Sequence, residues 1–207
     1  RSMQVPGVNT TGVTNGVPID EQLNAFNRLA PIKKLVVLFN AREPNANLIE
    51  KAVADWAGKN GVAVTSVRVA PTAESLDQAL QELKAGKVEA DTLYAGADSF
   101  LGSKADVIQA ALGDKFHLFG GTQTFVMRGW LGAFTPTVQD MGGAAADLVA
   151  KILAGQDAHD LPVVLPAPKL ILSKAAAAKQ GVAPPAEAVL EPRAPKTHTR
   201  WRCPNRR

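Results

Sequence analysis

The stretch from Lys33 to Trp56 constrains the fold more than any other part of the sequence, KKLVVLFNAREPNANLIEKAVADW. Residues 35–39 are an unbroken run of large apolar and β-branched side chains, which is typical of a strand buried on both faces of a parallel sheet. The polar loop at 40–47 contains a proline and three asparagines, and from Leu48 the apolar residues recur at helical spacing. The stretch therefore predicts a strand, a polar loop and a helix.

The same alternation of strand and helix continues along the chain. Apolar runs predict four strands, and the segments between them have helical periodicity over about ten to fifteen residues. Strands joined in this way pair in parallel through right-handed crossovers, so the predicted class is α/β, a parallel sheet flanked by helices. The predicted strands lie near 35–39, 62–69, 91–95 and 116–119. Beyond them we predict a strand at 130–135, a helix at 138–153, a strand at 169–172 and a helix at 174–180.

Composition and charge exclude several classes of protein. The content of 46% hydrophobic and 20% charged residues is ordinary for a globular protein, and the apolar runs are shorter than the ~18 residues of a membrane helix. Residues 193–207 contain six basic side chains and no acid, and without them 17 basic side chains face 19 acidic ones. Such a tail either contacts nucleic acid or an anionic membrane, or is disordered with no function of its own. We favour a disordered basic tail over residues 182–207 and expect no nucleic-acid partner.

The sequence offers few groups for catalysis or metal binding. Cys203 is the only cysteine, so neither a disulfide framework nor a cysteine-based zinc site is available. His117 falls in a predicted strand, where a histidine is more often a core residue than a base. We find no G-x-S-x-G nucleophile motif and no glycine-rich phosphate loop. We therefore expect no catalytic residue, no metal and no cofactor, because a small α/β enzyme would need an acid–base pair that the sequence does not present.

Polar residues follow three of the predicted strands, where open α/β sheets bind their ligands. Amides both donate and accept hydrogen bonds, so they suit a small polar ligand. The candidate ligand-binding residues are Asn40, Asn45, Asp98, Ser99, Thr122 and Gln123. Two of them have a competing interpretation, since Asn45 is placed to cap the following helix, and Asp98 either binds a ligand ammonium group or caps the next helix. Glu43, between an arginine and a proline, is interpreted as a surface carboxylate.

Short motifs along the chain carry a resemblance to a known family. They occur in the family's order from residue 9 to residue 182. The motifs are Asn9-Thr10-Thr11-Gly12-Val13, Glu21-Gln22-Leu23, Leu38-Phe39-Asn40-Ala41-Arg42-Glu43-Pro44-Asn45, Ala97-Asp98-Ser99, Phe119-Gly120-Gly121, Gln139-Asp140-Met141-Gly142, and the run at 149–153 before Leu161-Pro162-Val163. On these residues the sequence resembles the extracytoplasmic substrate-binding proteins of ABC transporters, in the family that includes tryptophan- and tyrosine-type binding proteins.

The resemblance implies a type I periplasmic-binding-protein fold, in which two α/β lobes enclose the ligand. Residues 1–18 would be an inter-lobe connector, and residues 19–124 would form the second, ligand-binding lobe. Residues 125–160 would be a helix–strand–helix extension belonging to an incomplete first lobe. Residues 161–181 would supply the return crossing and the last helix.

The resemblance also implies a function. The protein would be the solute-binding component of an ABC import system, located in the periplasm or otherwise outside the cytoplasm. It would bind a small polar or amphipathic solute, such as an amino acid, and deliver it to an ABC permease in the membrane. A ligand-sensing regulatory domain of the same fold is the alternative.

The chain begins at Arg1 and lacks a counterpart to the leading part of the first lobe, so we expect a fragment. The strand at 130–135 would then lack its usual partners, and Trp130, Leu131 and Phe134 would be uncovered. Unpaired strand edges and apolar patches promote association. We therefore expect residues 125–160 to project from the lobe or fold back irregularly, with an exposed apolar surface.

Overall fold

The computed structural model describes residues 2–191, which contain eight α-helices and seven strands. The helices are α1 (Ile19–Leu29), α2 (Ala46–Asn60), α3 (Ala73–Lys84), α4 (Ser99–Ser103), α5 (Ala105–Leu112), α6 (Gln123–Met127), α7 (Val138–Leu153) and α8 (Lys174–Gln180). The strands are β1 (Lys34–Asn40), β2 (Ala63–Val69), β3 (Thr92–Ala95), β4 (His117–Gly120), β5 (Gly132–Thr135), β6 (Lys169–Ser173) and β7 (Val189–Glu191). Within residues 2–191, no helix has both the length and the apolar character needed to cross a membrane.

The seven strands form one sheet in the order β2-β1-β3-β4-β5-β6-β7. The first five strands are parallel to their neighbours, so their carboxyl ends share one edge. β6 runs antiparallel to β5, with Gly132 opposite Leu172 and Thr135 opposite Lys169, and β7 is parallel to β6. The α/β class is therefore confirmed, with one reversal of strand direction that the sequence did not indicate.

Strand β1 is buried on both faces, as its sequence predicted. Val36 and Leu38 belong to the apolar layer formed with α3, α4 and α5. Leu35, Val37 and Phe39 belong to the layer formed with α1, α2 and α8. All five side chains are at most 4% exposed. Because successive side chains of a strand point to opposite faces, one continuous apolar run supplies both cores.

The prediction that the strand at 130–135 lacks neighbouring strands is wrong. β5 is paired on both sides, in parallel with β4 and antiparallel with β6, and Trp130 and Leu131 are buried. The Trp130 ring packs against Phe125 at a centroid distance of 4.5 Å, and its Nε1 donates to the Ala105 carbonyl at 2.8 Å. The antiparallel partner is a later segment of the same chain, so β5 needs no upstream strand to close this edge.

Helix α7 carries the exposed apolar surface that was expected in this region. Leu148 is its only buried residue, whereas Val138, Val149, Ile152 and Leu153 are 59%, 55%, 40% and 83% exposed. The expectation for residues 125–160 is therefore confirmed for the helix and wrong for the strand.

The predicted disordered tail is wrong for residues 182–191. Val182 packs against the layer that contains α1 and α2, and Val189 packs on a small cluster around Ile171. Strand β7 extends the sheet beside β6. Val182 and Val189 thus help to anchor this Ala- and Pro-rich segment, together with the pairing of β7, and composition alone does not reveal these contacts. Residues 192–207, which contain the basic side chains, lie outside the described residues.

The connector before α1 lies beside the segment that returns from α7. Val13 forms an isolated parallel bridge with Val164, and the backbone N–H of Thr14 donates to the Val164 carbonyl at 2.9 Å. The N–H of Val163 donates to the Met3 carbonyl at 2.7 Å. These bonds place two chain segments side by side where the resemblance expects crossings between lobes.

Replacing Trp130 by alanine should lower the free energy of unfolding by about 3–5 kcal/mol, because it opens a large cavity next to β5. Leu48→Ala is the control, since Leu48 is 71% exposed and its truncation should change stability by less than about 0.5 kcal/mol. Urea unfolding followed by circular dichroism measures both variants. Similar small effects for the two would show that β5 is not part of the core sheet.

Candidate functional site

Three loops follow neighbouring parallel strands and meet at one edge of the sheet. Loop 1 (residues 40–47) follows β1, loop 2 (96–99) follows β3, and loop 3 (120–123) follows β4. All six candidate residues lie in these loops, so the structure brings them to the same edge. In open α/β sheets, ligands bind at the carboxyl ends of the strands, which is this edge.

Asp98 joins loop 2 to loop 1. Its Oδ2 accepts from the backbone N–H of Asn40 at 3.1 Å, and its Oδ1 accepts from the N–H of Leu101 at 2.8 Å. The second bond caps α4, so the capping interpretation of Asp98 is confirmed. Partial burial raises the pKa of Asp98 above its usual range, although the two backbone N–H donors oppose this effect. A carboxylate oxygen accepts more than one bond, so capping leaves capacity for a ligand.

The two asparagines of loop 1 have different environments. Asn40 is 4% exposed, and its Oδ1 accepts from the backbone N–H of Arg42 at 3.0 Å, which shapes the turn of the loop. Asn45 occupies the position before α2 but makes no side-chain capping bond, so that capping interpretation is wrong. Its Nδ2 instead donates to the Ala97 carbonyl of loop 2 at 3.4 Å. Asn45 is exposed at the junction of loops 1 and 2.

Glu43 forms a second hydrogen-bonded link between loops 1 and 2. Its Oε1 accepts from the backbone N–H of Ser99 at 3.2 Å, and the residue is half-buried. The interpretation of Glu43 as a purely surface carboxylate therefore needs correction. Sequence reasoning missed this contact because the partner is 56 residues away. Ser99 is exposed, and its hydroxyl makes no hydrogen bond within residues 2–191.

Two glycines allow close packing around loop 2, one against loop 3 and one against α2. A Cβ atom on Gly121 of loop 3 would lie 2.7 Å from the Ala97 nitrogen of loop 2. A Cβ atom on Gly96 of loop 2 would lie 2.6 Å from the Ile49 side chain in the first turn of α2. Real Cβ contacts do not come this close. Gly121 faces backbone atoms and therefore requires a residue without a side chain, whereas Gly96 faces the end of the Ile49 side chain, which can move aside. Loops 1 to 3 therefore form one continuous surface.

The two candidates in loop 3 differ in how their side chains are used. Thr122 precedes α6 and makes no side-chain capping bond, so its hydroxyl is available to a ligand. Gln123 uses both ends of its amide, since Nε2 donates to Glu191 and Oε1 accepts from the N–H of Val138 at 2.8 Å. Gln123 therefore connects loop 3 to α7 and β7, and only one N–H of its amide remains for a ligand.

Thr135 is a further polar group near this edge. β5 extends beyond the end of β4, because Ala133 pairs with Gly120 and two more residues follow. Thr135 is 1% exposed, and its Oγ1 has no hydrogen-bond partner among the described residues. Buried hydroxyls are normally paired, so this one is a candidate for a water or ligand contact. The sequence did not indicate it because threonine is common in strands.

Two other features lie outside these loops. A cavity of about 430 Å³ between α1, β6 and the segment at 183–187 contains none of the six candidate residues. The ligand atoms of Asp157, His159 and Asp160 lie within 4.8 Å of one another. All three side chains of that group are exposed, and exposed acidic groups commonly occur without an ion.

Comparison with known proteins defines the class to which this fold and loop edge belong. A family model described as ABC transporter substrate binding protein matches residues 1–196. The chain therefore belongs to the ABC transporter substrate-binding protein family. It is similar to the tyrosine-binding protein of Clostridioides difficile (strain R20291), with 27% identity over 165 residues. The match covers 79% of this chain and 47% of that protein, so the chain spans about half the length of this curated relative.

Two solved structures share the fold. The ligand-free, open structure of a substrate-binding protein with adhesive properties from Clostridium difficile has a TM-score of 0.76 at 22% identity, covering 93% of this chain and 66% of that one. An ABC domain in complex with L-Trp from Streptococcus pneumonia has a TM-score of 0.73 at 22% identity, covering 92% and 67%. At these identities the likeness establishes the fold and not the ligand.

Gly121→Ala should destabilise the protein by about 1–3 kcal/mol, because the new methyl group meets the backbone of loop 2. Gly58→Ala is the matched control, since this glycine lies within α2 and a Cβ there meets nothing within 4 Å. That variant should gain up to about 1 kcal/mol from helix propensity. Thermal or urea unfolding distinguishes the two, and equal effects would contradict the close packing of loops 2 and 3.

The pH dependence of stability should have opposite signs at Asp98 and Asp140. Burial raises the folded-state pKa of Asp98, so its contribution to stability falls as pH rises from about 4, the ordinary unfolded value, through the folded pKa. Hydrogen bonds from Lys169 and Thr137 lower the pKa of Asp140, so its contribution is present above the unfolded value and is lost as pH falls through the folded pKa.

The measurement compares the wild type with Asp98→Asn and with Asp140→Asn in urea unfolding between pH 3 and pH 7. The stability advantage of the wild type over the first variant should shrink with rising pH, and over the second it should grow. Parallel trends for the two variants would refute the assigned environment of Asp98.

Proposed function

We propose that the protein is the ligand-binding component of an ABC import system and binds a small amphipathic amino acid at the edge formed by loops 1 to 3. The observation that carries this proposal is the direct joining of the three loops at the carboxyl edge of the sheet, through Asp98, Glu43 and Gly121, in a chain of this family. The proposal places the protein outside the cytoplasm, with a membrane permease as its partner.

The groups at this edge match the chemistry of an amino acid. Asp98 supplies a carboxylate for the ammonium group of the ligand. The hydroxyls of Ser99 and Thr122 and the amide of Asn45 supply donors for its carboxylate. Leu48, 71% exposed in the first turn of α2, supplies an apolar contact beside these polar groups. An aromatic amino acid combines both kinds of group and is the class that we propose.

Names of relatives support the choice of aromatic probes. One relative is named a tyrosine-binding protein, and one structure of the same fold contains L-Trp. These names concern the other proteins, and the match covers about half and about two thirds of their chains respectively. We therefore propose that this chain binds its ligand more weakly than a protein that encloses the ligand between two lobes. Contacts on one side of a ligand bury less of its surface than contacts on both sides.

The proposed action is binding without chemical conversion. The polar groups at the loop edge are amides, hydroxyls, carboxylates and the guanidinium of Arg42, and the half-buried Asp98 caps α4 and holds Asn40. No histidine lies in loops 1 to 3 to act with it as an acid–base pair. A carboxylate with this role orients a ligand rather than transferring its proton.

The test is a titration of the full 207-residue chain with L-tyrosine and L-tryptophan, followed by amide chemical shifts in NMR spectra. This readout detects weak binding and reports its location. Shifts should concentrate in loops 1 to 3, and Asn45→Ala should weaken the affinity by about tenfold, as expected for loss of one well-placed hydrogen bond in a desolvated site.

Asn47→Ala is the matched control, because Asn47 is an exposed asparagine on the same segment and makes no loop-to-loop bond in the described chain. It should leave the affinity unchanged. Shifts that map to the cavity between α1 and β6, or an equal loss in both variants, would contradict the proposed site. The absence of binding to either amino acid would contradict the proposed ligand class.

A further inference from the structure

The dipeptide Asn-Gly occurs twice in the sequence, at residues 15–16 and at residues 60–61. An asparagine before a glycine is prone to an intramolecular reaction, because glycine has no side chain to keep its backbone nitrogen away from the preceding amide group. In a folded protein the reaction also requires that the backbone at this point leaves its hydrogen-bonded conformation. The structure gives the two dipeptides opposite environments in this respect.

Asn60-Gly61 is held by the end of a helix. Asn60 is the last residue of α2, and its Nδ2 donates to the Trp56 carbonyl at 2.8 Å. The backbone N–H of Gly61 donates to the Ala57 carbonyl. For the Gly61 nitrogen to reach the Asn60 side chain, both bonds must open and the last turn of α2 must unwind. This dipeptide is therefore protected, even though Asn60 is exposed.

Asn15-Gly16 lies in the connector before α1, outside the helices and strands. Asn15 is partly exposed, and its side chain makes no hydrogen bond within residues 2–191. The backbone N–H of Gly16 donates to Thr14 Oγ1 at 3.1 Å in an exposed bond, and the Asn15 carbonyl accepts from the N–H of Val17 at 2.8 Å. Both bonds are local, and water replaces an exposed bond at small cost. The backbone of this dipeptide therefore changes conformation more easily than the end of α2.

We propose that Asn15-Gly16 is a site of spontaneous deamidation, at which Asn15 becomes aspartate or isoaspartate. The backbone nitrogen of Gly16 loses its proton to water and attacks the side-chain Cγ of Asn15, which forms a cyclic succinimide. The side-chain Nδ2 leaves with an added proton as ammonia. A water molecule then opens the ring at one of its carbonyl carbons, and neither step is an oxidation or a reduction. The net reaction exchanges ammonia for water, so it needs no ligand, cofactor or partner.

These two residues form a short link between two anchored points of the chain. On one side, the N–H of Thr14 donates to the Val164 carbonyl at 2.9 Å. On the other side, Val17 is 5% exposed, and its carbonyl accepts from Gln22 Nε2 on α1 at 2.9 Å. Isoaspartate adds one carbon atom to the backbone of the link, and both products add a negative charge. Deamidation therefore changes the length and the charge of the link between α1 and the segment that pairs with Val164.

The test is incubation of the full 207-residue chain in mildly alkaline buffer, followed by pepsin digestion at acidic pH and mass spectrometry. Acidic digestion stops the reaction during the mapping, and each deamidated peptide gains mass because OH replaces an NH2 group. Deamidation at Asn15 should be faster than at Asn60 by about tenfold or more, because two hydrogen bonds must open before Asn60 reacts. A rate at Asn60 equal to or above the rate at Asn15 would overturn the proposal.

Unfolding the chain in urea separates the effect of the fold from that of the local sequence. The two dipeptides should then react at similar rates, because α2 no longer protects Asn60. A rate difference that persists in urea would show that the fold does not cause it.

Gly16→Ala tests the attacking atom. The added methyl group hinders approach of the backbone nitrogen, so the reaction at Asn15 should slow while the reaction at Asn60 stays unchanged. A Cβ atom at Gly16 would lie 3.3 Å from Thr14 Oγ1, a contact that a small shift of the hydroxyl relieves. An unchanged rate at Asn15 in this variant would contradict attack by the Gly16 nitrogen.

The effect of the longer link is measured against Asn15→Asp, which has the added charge without the added carbon atom. The isoaspartate form, separated by chromatography from the aged protein, should show larger changes in the amide NMR signals of Thr14, Val17 and Gln22 than this variant shows. Identical changes in the two proteins would overturn the proposed effect of link length.

Discussion

Burial of β1 on both faces is the constraint on which the rest of the structure depends. Leu35, Val37 and Phe39 require a helix layer on one side, and Val36 and Leu38 require another on the opposite side. The chain meets both requirements by placing α1, α2 and α8 on one face of the sheet and α3, α4 and α5 on the other. The strand order changes direction between β1 and β3, because the chain goes from β1 to β2 on one side and then to β3 on the other. Loops 1 and 2 follow these two strands, so the candidate site lies at the point where the strand order changes direction.

A series of buried hydrogen bonds joins the connector and α1 to this sheet. The Tyr94 hydroxyl of β3 donates to Gln22 Oε1 on α1 at 3.0 Å, and Gln22 Nε2 donates to the Val17 carbonyl at 2.9 Å. Burial raises the pKa of Tyr94, so its hydroxyl remains protonated and keeps its role as a donor. The three partners join the sheet, the first helix and the connector. The motif Glu21-Gln22-Leu23 thus has a physical role in addition to its value as a family signature.

The sequence was sufficient to predict elements whose signal is local. Three features could be predicted because each depends on residues close together in the chain. They are the apolar run of β1, the helical spacing after it, and the polar residues that follow β1, β3 and β4. Contacts between distant residues could not be predicted in the same way. The pairing of β5 with β6, the bond from Glu43 to Ser99 and the anchoring of Val189 on Ile171 all join segments far apart in sequence. Gln123 shows the same limit, because both of its partners lie in elements whose positions the sequence did not reveal.

The first turn of α7 connects the candidate site to the exposed helix. Gln123 of loop 3 holds the N–H of Val138, and Lys169 at the start of β6 pairs with Asp140 at 2.7 Å. Thr137 caps the helix through the N–H of Asp140 at 3.0 Å. Beyond this turn Leu148 is the only buried residue of α7, so the direction of the helix is set mainly at its beginning. Loop 3 is therefore bonded to α7 at the turn that sets the direction of the helix.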